Sequence, residues 1–284
     1  MANEASDLSY CGQEVRKYDN DRFLSCLFAP AERREALFAL YAFNLEVAKT
    51  REVVSEPMLG MMRLQWWRDG IAAAYGEGPV PQHAVMQPVT AAIGAYGLTR
   101  AHFERLIDAR EADLDDEPPA NLVCLVNYAE VTAAPLVHLS LEALGVRDPA
   151  AAEAGRHAAI AYALTGLLRA VPYHARQNRV LLPADSLGAQ GVHVRDVIEG
   201  KAGAALKPVV REVADAAREH LGKARALQRE VPRAAVPALL GATLADTYLG
   251  VLAREDHDPL AARVQMPHPL RSAKLAWAAM RGRY

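Results

Sequence analysis

No stretch of this chain alternates apolar and polar residues for long enough to make a half-buried strand, and no internal repeat is visible. Sheet-based architectures are excluded at the outset. Cysteine is scarce: Cys11, Cys26 and Cys124 stand far apart with no paired spacing. They make neither a disulfide framework nor a zinc site, and they fit a reducing compartment. No uninterrupted apolar run approaches the length of a membrane span. The opening stretch, MANEASDLSY, carries Glu4 and Asp7 and has no apolar core, which argues against a signal peptide and against a basic transit peptide. Charge bias is absent too. Against 34 Asp and Glu stand 32 Lys and Arg, a formal net charge of −2, so nothing in the overall charge points to nucleic acid. There is no glycine-rich phosphate loop, nucleophile elbow or Cys–His pairing.

What is present is helical periodicity punctuated by proline and glycine. The first 13 residues read as a loose arm and residues 14–284 as one domain, long enough to bury a sizeable core. Pro30 opens a helix bearing Leu37, Leu40, Tyr41, Phe43 and Val47, and Pro57 opens one bearing Met61, Met62, Leu64, Trp66 and Trp67. Gly97 closes a further helix, and Thr99 is expected to cap the next. The apolar run from Asn121 to Leu144 predicts a long helix interrupted at Pro135. From Leu206 to Leu227 the 3.6-residue stripe is at its cleanest, while Pro183 to Gly203 reads as irregular. The fold class is all-α.

The most informative stretch is LTGLLRAVPYHARQNRVLLP, residues 164–183. An apolar helix face runs into Arg169, Pro172 ends or kinks the helix, and a basic, polar linker follows. A helix that keeps its polar residues for its last turn borders a cavity. At least one of Trp66 and Trp67 is expected to line that centre together with residues 164–168. Asp113, Asp115, Asp116 and Glu117 are bunched at a helix end rather than spaced on one face, and read as a solvated terminus. His157 and His174 have no partner carboxylates at ligand spacing, and His138 reads as a core histidine.

The spacing of Leu168-Arg169, then Arg179-x-x-Leu182-Pro183, resembles the second metal motif of squalene and phytoene synthases. Arg34 followed by Leu40-Tyr41-Ala42-Phe43 is similar to that family's entry motif, and Tyr128 to Ala134 to its Tyr-Cys-x-x-Val-Ala-Gly segment. The resemblance covers roughly Tyr18 to Arg281. It implies an isoprenoid-synthase-like helical bundle around a central cavity. In the enzymes, two facing carboxylate clusters hold Mg²⁺ for removal of diphosphate. In this chain the first cluster's positions hold Ala48, Lys49 and Glu52, and the second's hold Gly166, Ala170 and His174. Alanine and glycine offer no ligand, and Lys49 places positive charge where a cation would sit.

A narrower resemblance accounts for this. Ala42-Phe43-Asn44, Gly60 to Arg68 and Leu168-Arg169-Ala170-Val171-Pro172-Tyr173-His174 look like the branch comprising mitochondrial assembly factors for respiratory complex I. Without a transit peptide, the chain looks like a bacterial relative of that branch. The resemblance implies a non-catalytic protein that assists complex I assembly and takes an apolar isoprenoid or lipid. Its partners would be complex I subunits or assembly intermediates, and it would be cytoplasmic, peripheral on the inner membrane surface. No catalytic residue, metal or cofactor is expected. Ligand or phosphate contacts would come from Arg34, Tyr41, Trp66, Trp67, Tyr128, Arg169, Tyr173 and Arg179. The rival is an active Mg²⁺-dependent prenyl transferase, in which these arginines grip a diphosphate. A third reading is a lipid or prenyl carrier with no protein client.

Overall fold

The computed structural model describes residues 8–284, and among them there is no strand. The helices are α1 (Tyr10–Tyr18), α2 (Asn20–Cys26), α3 (Ala31–Ala48), α4 (Thr50–Val53), α5 (Pro57–Ala72), α6 (Met86–Tyr96), α7 (Arg100–Asp108) and α8 (Leu122–Ala143). They continue as α9 (Pro149–Arg169), α10 (Val171–Arg176), α11 (Ala184–Ala189), α12 (Val194–Ile198), α13 (Leu206–Ala226), α14 (Val236–Leu239), α15 (Gly241–Arg254), α16 (Ala262–Gln265) and α17 (Arg271–Arg281). The all-α reading of the sequence is correct.

α9 is the axis of the bundle. It packs along α8 on one side and α13 on the other, with α15 across it. Its first turn is fixed by Asp148, whose side chain accepts from the Ala151 amide at 2.9 Å, and by Pro149, whose missing N–H costs nothing there. The alanine-rich stretch between lets neighbours approach closely: a Cβ on Gly155 would stand 2.9 Å from Cγ1 of Val137. α13 buries the expected stripe of Leu206, Val209, Val210, Val213, Ala217, Leu221 and Ala224. One continuous core joins α3, α8, α9 and α13, and a smaller cluster under α17 contains Leu240, Leu244, Tyr248 and Leu275.

Four local expectations need correcting. Residues 1–7 of the expected arm lie outside the described residues, but its last part is helical, because Ser9 accepts from the Gly12 amide at 3.1 Å and starts α1. Pro135 lies inside α8 without breaking it: buried neighbours on that helix hold it against α3 and α9, and tertiary packing overrides the lost amide. Thr99 precedes α7, but its hydroxyl is bonded to Glu142 rather than capping the helix. The segment after Pro183 contains the short helices α11 and α12. α8 is long and apolar enough to cross a membrane by length and composition, yet no uninterrupted run in it reaches that length, as read from the sequence; 44% of its apolar window is buried inside the fold.

Candidate functional site

Two cavities flank the inner ends of α3 and α9. The first, of about 250 Å³, is bounded by Arg22, Asn44, Arg110, Tyr128, Tyr162, Gly166, Arg169, His174 and Tyr248, with Ala133, Ala163 and Leu167 as apolar wall. Its floor follows from the break at Ala170. Pro172 in the first turn of α10 has no amide to continue the α9 ladder, so Arg169 is left at the last turn and His174 turns back over the cavity. Asn178, in the left-handed conformation at φ 56°, reverses the chain and sends Arg179 inward.

Behind this cavity lies a buried ion cluster. Asp113 is 3% exposed and accepts from Tyr128 at 2.6 Å, Arg179 at 2.9 Å and Arg110 at 3.1 Å. Burial alone would push its carboxyl pKa up, but the two guanidiniums and the phenol hold it below the usual carboxylate range. Burial and the adjacent anion push the Tyr128 phenol up to about 12. His174 goes the other way, to about 4, because burial and Arg179 both disfavour the imidazolium. At neutral pH the cluster therefore comprises an anionic Asp113, two cationic arginines and a neutral His174. The expectation of a solvated acidic terminus is wrong for Asp113, while Asp115, Asp116 and Glu117 are exposed.

The remaining guanidiniums are held by aromatic faces. Arg169 lies 3.5 Å from the Tyr248 ring centroid and donates to the Val264 carbonyl at 3.0 Å. Arg22 pairs with Asp19 at 2.6 Å and lies over the rings of Tyr162 and Tyr41. Nδ1 of His174, Oδ1 of Asn44 and Nε of Arg110 are buried without a protein partner. Such a rim can hold an anionic or oxygen-rich head group, with apolar atoms against the alanine wall.

The second cavity, of about 360 Å³, collects Ala48, Lys49, Glu52 and Tyr173, together with Glu14, Tyr18 and Glu46. Glu46 is 7% exposed and bound by Lys49 and by Arg63, the latter at 2.7 Å. Burial first, then neighbouring Glu52, raise the Tyr173 phenol. Tyr41 borders a small third cavity with Arg22 and Tyr162.

Three sequence candidates are elsewhere. Arg34 donates to the carbonyls of Leu27 at 2.9 Å and Ala29 at 3.0 Å, closing the end of α2. Trp67 is buried in the core against Phe43, and Trp66 packs on Trp67 while 39% exposed, so neither tryptophan lines these cavities. α5 turns its bulky face onto α7 and the α6 side instead. Sequence reasoning missed Arg22, Arg110, Asp113, Tyr162 and Tyr248. The available signals were the Asp19-x-x-Arg22 and Arg110-x-x-Asp113 pairs at helical spacing. His157, read as unpartnered, meets His220 at 2.9 Å between ring nitrogens and Glu153 at 3.2 Å.

Mg²⁺ takes hard oxygen ligands in a near-octahedral shell. Three carboxylates stand behind the first cavity, each already engaged: Asp113 is saturated by two guanidiniums and a phenol, Asp19 pairs with Arg22, and Asp21 accepts from Tyr248 at 2.9 Å. The second is lined by Glu14, Glu46 and Glu52, but Lys49 and Arg63 hold Glu46. No three His, Cys, Asp or Glu side chains converge into a metal site among the described residues. The residues present do not fit a magnesium centre.

This bundle is the isoprenoid-synthase fold. A squalene synthase HpnC from Alicyclobacillus acidocaldarius matches it with a TM-score of 0.76 at 20% identity, over 88% of this chain and 94% of that one. A dehydrosqualene synthase in complex with ligand gives 0.78 at 17%, over 96% and 94%. The squalene/phytoene synthase family model matches residues 15–270, and the chain belongs to that family. It is 36% identical over 275 residues to "NADH dehydrogenase (ubiquinone) complex I, assembly factor 6" of Bos taurus, covering 97% of this chain and 82% of that protein. The Homo sapiens protein of the same name is 35% identical over 249 residues, 88% and 74% of the two chains. A presqualene diphosphate synthase of Rhodopseudomonas palustris is 30% identical over 210 residues, 74% of each.

Proposed function

We propose that this chain has lost prenyl-transfer chemistry and helps respiratory complex I assemble, working at the cytoplasmic surface of the inner membrane with an isoprenoid or lipid in its first cavity. The observation that carries the reading is the makeup of that cavity. Where diphosphate loss needs clustered oxygens around Mg²⁺, it offers Gly166, Ala170 and a neutral His174. Asp113 is tied to two arginines, and a rim of donors cannot replace the charge of the missing ions. The assembly-factor names of the mammalian relatives support the partner: subunits or assembly intermediates of complex I. No cofactor is required.

The match to a presqualene diphosphate synthase favours a second reading, an active prenyl transferase. One pair of measurements separates them. The purified chain, given farnesyl or geranylgeranyl diphosphate and Mg²⁺, is expected to release no pyrophosphate beside a working synthase. Deleting the gene is expected to lower NADH:quinone activity in membranes and leave carotenoid and hopanoid levels unchanged. Sustained pyrophosphate release abolished by EDTA would establish the transferase, and normal NADH:quinone activity in the deletion strain would remove the assembly role.

A further inference from the structure

From Pro259 to the C-terminus there is no Asp or Glu, against Arg263, Arg271, Lys274, Arg281 and Arg283. This bias is hidden in a chain whose overall charge is near neutral. α17 buries Leu275 and Ala278 against the fold, and its first residue, Arg271, pairs with Asp21 at 3.2 Å and donates to Asn20 at 2.6 Å. Helical spacing puts Ala273, Trp277 and Met280 together on its opposite side, and Trp277 is 56% and Met280 64% exposed. Lys274 and Arg281 edge that apolar face, with the Arg281 guanidinium 4.1 Å from the Trp277 ring centroid. Beside it runs a groove of about 420 Å³ walled by Arg225, Lys274, Arg281 and Arg283. Its single acid, Asp246, is paired with Arg225 at 3.0 Å. Lys274, Arg281 and Arg283 have no carboxylate partner among the described residues.

We propose that this face of α17 docks on an anionic lipid bilayer, with Trp277 and Met280 entering the acyl boundary and lipid phosphates meeting Lys274, Arg281 and Arg283 in the groove. An apolar stripe edged by long cationic side chains, with a tryptophan at the boundary, is the chemistry of an in-plane interfacial helix. The other exposed apolar run, Met58, Met61, Met62 and Trp66 on α5, has Glu56 and Asp69 nearby in sequence, and the arginines of that helix are already paired, Arg63 with Glu46 and Arg68 with Asp108 and Glu111. The inference deepens the membrane-surface part of the proposed function and rests on it.

The test is flotation of the full chain with vesicles of equal parts phosphatidylglycerol and phosphatidylcholine, or of phosphatidylcholine alone. Binding is expected to the anionic vesicles only, and to weaken as salt is raised. Replacing Lys274, Arg281 and Arg283 together by Gln should weaken it about 100-fold, at about fivefold per charge. Trp277→Ser with Met280→Ser should weaken it by about 10-fold or more without lowering the melting temperature, since both side chains are outside the core. Equal binding to neutral vesicles, or undiminished binding by both variants, overturns the proposal. So does a glutamine variant that still floats but no longer restores NADH:quinone activity to the deletion strain, because the face then meets a protein. If vesicle binding behaves as expected while the deletion strain has normal NADH:quinone activity, the assembly reading fails and the docking face stands.

Discussion

Each cavity has a nearly inaccessible carboxylate beside it, Asp113 behind the first and Glu46 at the second, yet the two are buried in different company. The side chains of Arg110 and Arg179 around Asp113 are only 12% and 11% exposed. Those of Lys49 and Arg63 around Glu46 are 37% and 31% exposed. Ion pairing of one kind thus serves two ends. Around Asp113 the whole cluster is withdrawn from water, so its charges depend on one another. Around Glu46 the anion alone is buried, and its partners reach solvent. The first cavity is consequently rigid on its charged side, and the second is an open groove whose charges can rehydrate.

The sharpest way to break this contrast is to delete each carboxylate. Asp113→Ala strands two buried guanidiniums, and unfolding in urea should show a loss of about 3–5 kcal/mol. Glu46→Ala leaves cations that solvent can reach, and should cost about 1–2 kcal/mol. Equal losses would mean that the partners' exposure does not matter and that the two clusters are alike.

Acid should act on the first cavity's wall. His174 in the fold titrates near 4, below its ordinary 6.5, because of burial and Arg179. Between those values the unfolded chain binds a proton that the native chain refuses, so stability falls as pH drops from about 6.5 towards 4 and is fully present above. His220, facing His157 between α9 and α13, also titrates near 4 and contributes in the same direction. His174→Gln should therefore shrink the shift in urea midpoint between pH 7 and pH 5, and His220→Gln should remove a comparable share. A variant with an unchanged midpoint shift would show that His174 is already solvated.

How far the sequence revealed this is itself uneven. The long helices were legible, because burial on α13 and the punctuation at Pro30, Pro57, Gly97 and Pro172 are local properties, while the start of α1 and the short α11 and α12 were not. Arg169, Gly166, Ala170 and His174 were grouped by the resemblance to a family motif, and they line one cavity because that motif spans the α9–α10 junction. Asp113 was not, because its neighbours Asp115, Asp116 and Glu117 gave it the look of a solvated run. Its partner Arg179 arrives from 66 residues away. Trp66 and Trp67 misled for the opposite reason: large aromatics mark burial, and only the packing of α5 decides whether they meet a void or another ring. Arg34 matched a family motif, and nothing local announced that its donors would be used to close α2.

The smallest effect tests whether the first cavity has unused room. Gly166 lies within α9, where glycine costs about 0.5–1 kcal/mol relative to alanine through lost backbone freedom. An added Cβ would meet nothing within 4 Å, because the position faces the cavity. Gly155, about three turns earlier on the same helix, has Val137 at 2.9 Å and Leu141 at 3.2 Å in the way. Gly166→Ala should therefore raise stability by about 0.5–1 kcal/mol, a melting shift of a few degrees at most, while Gly155→Ala should lower it. Gly166→Phe fills the space instead, and mass spectrometry of lipid extracted from the purified variant should show less of whatever co-purifies with the native chain. A destabilised Gly166→Ala would place the wall of the cavity closer to α9 than its lining residues define, and would leave no volume there for a ligand.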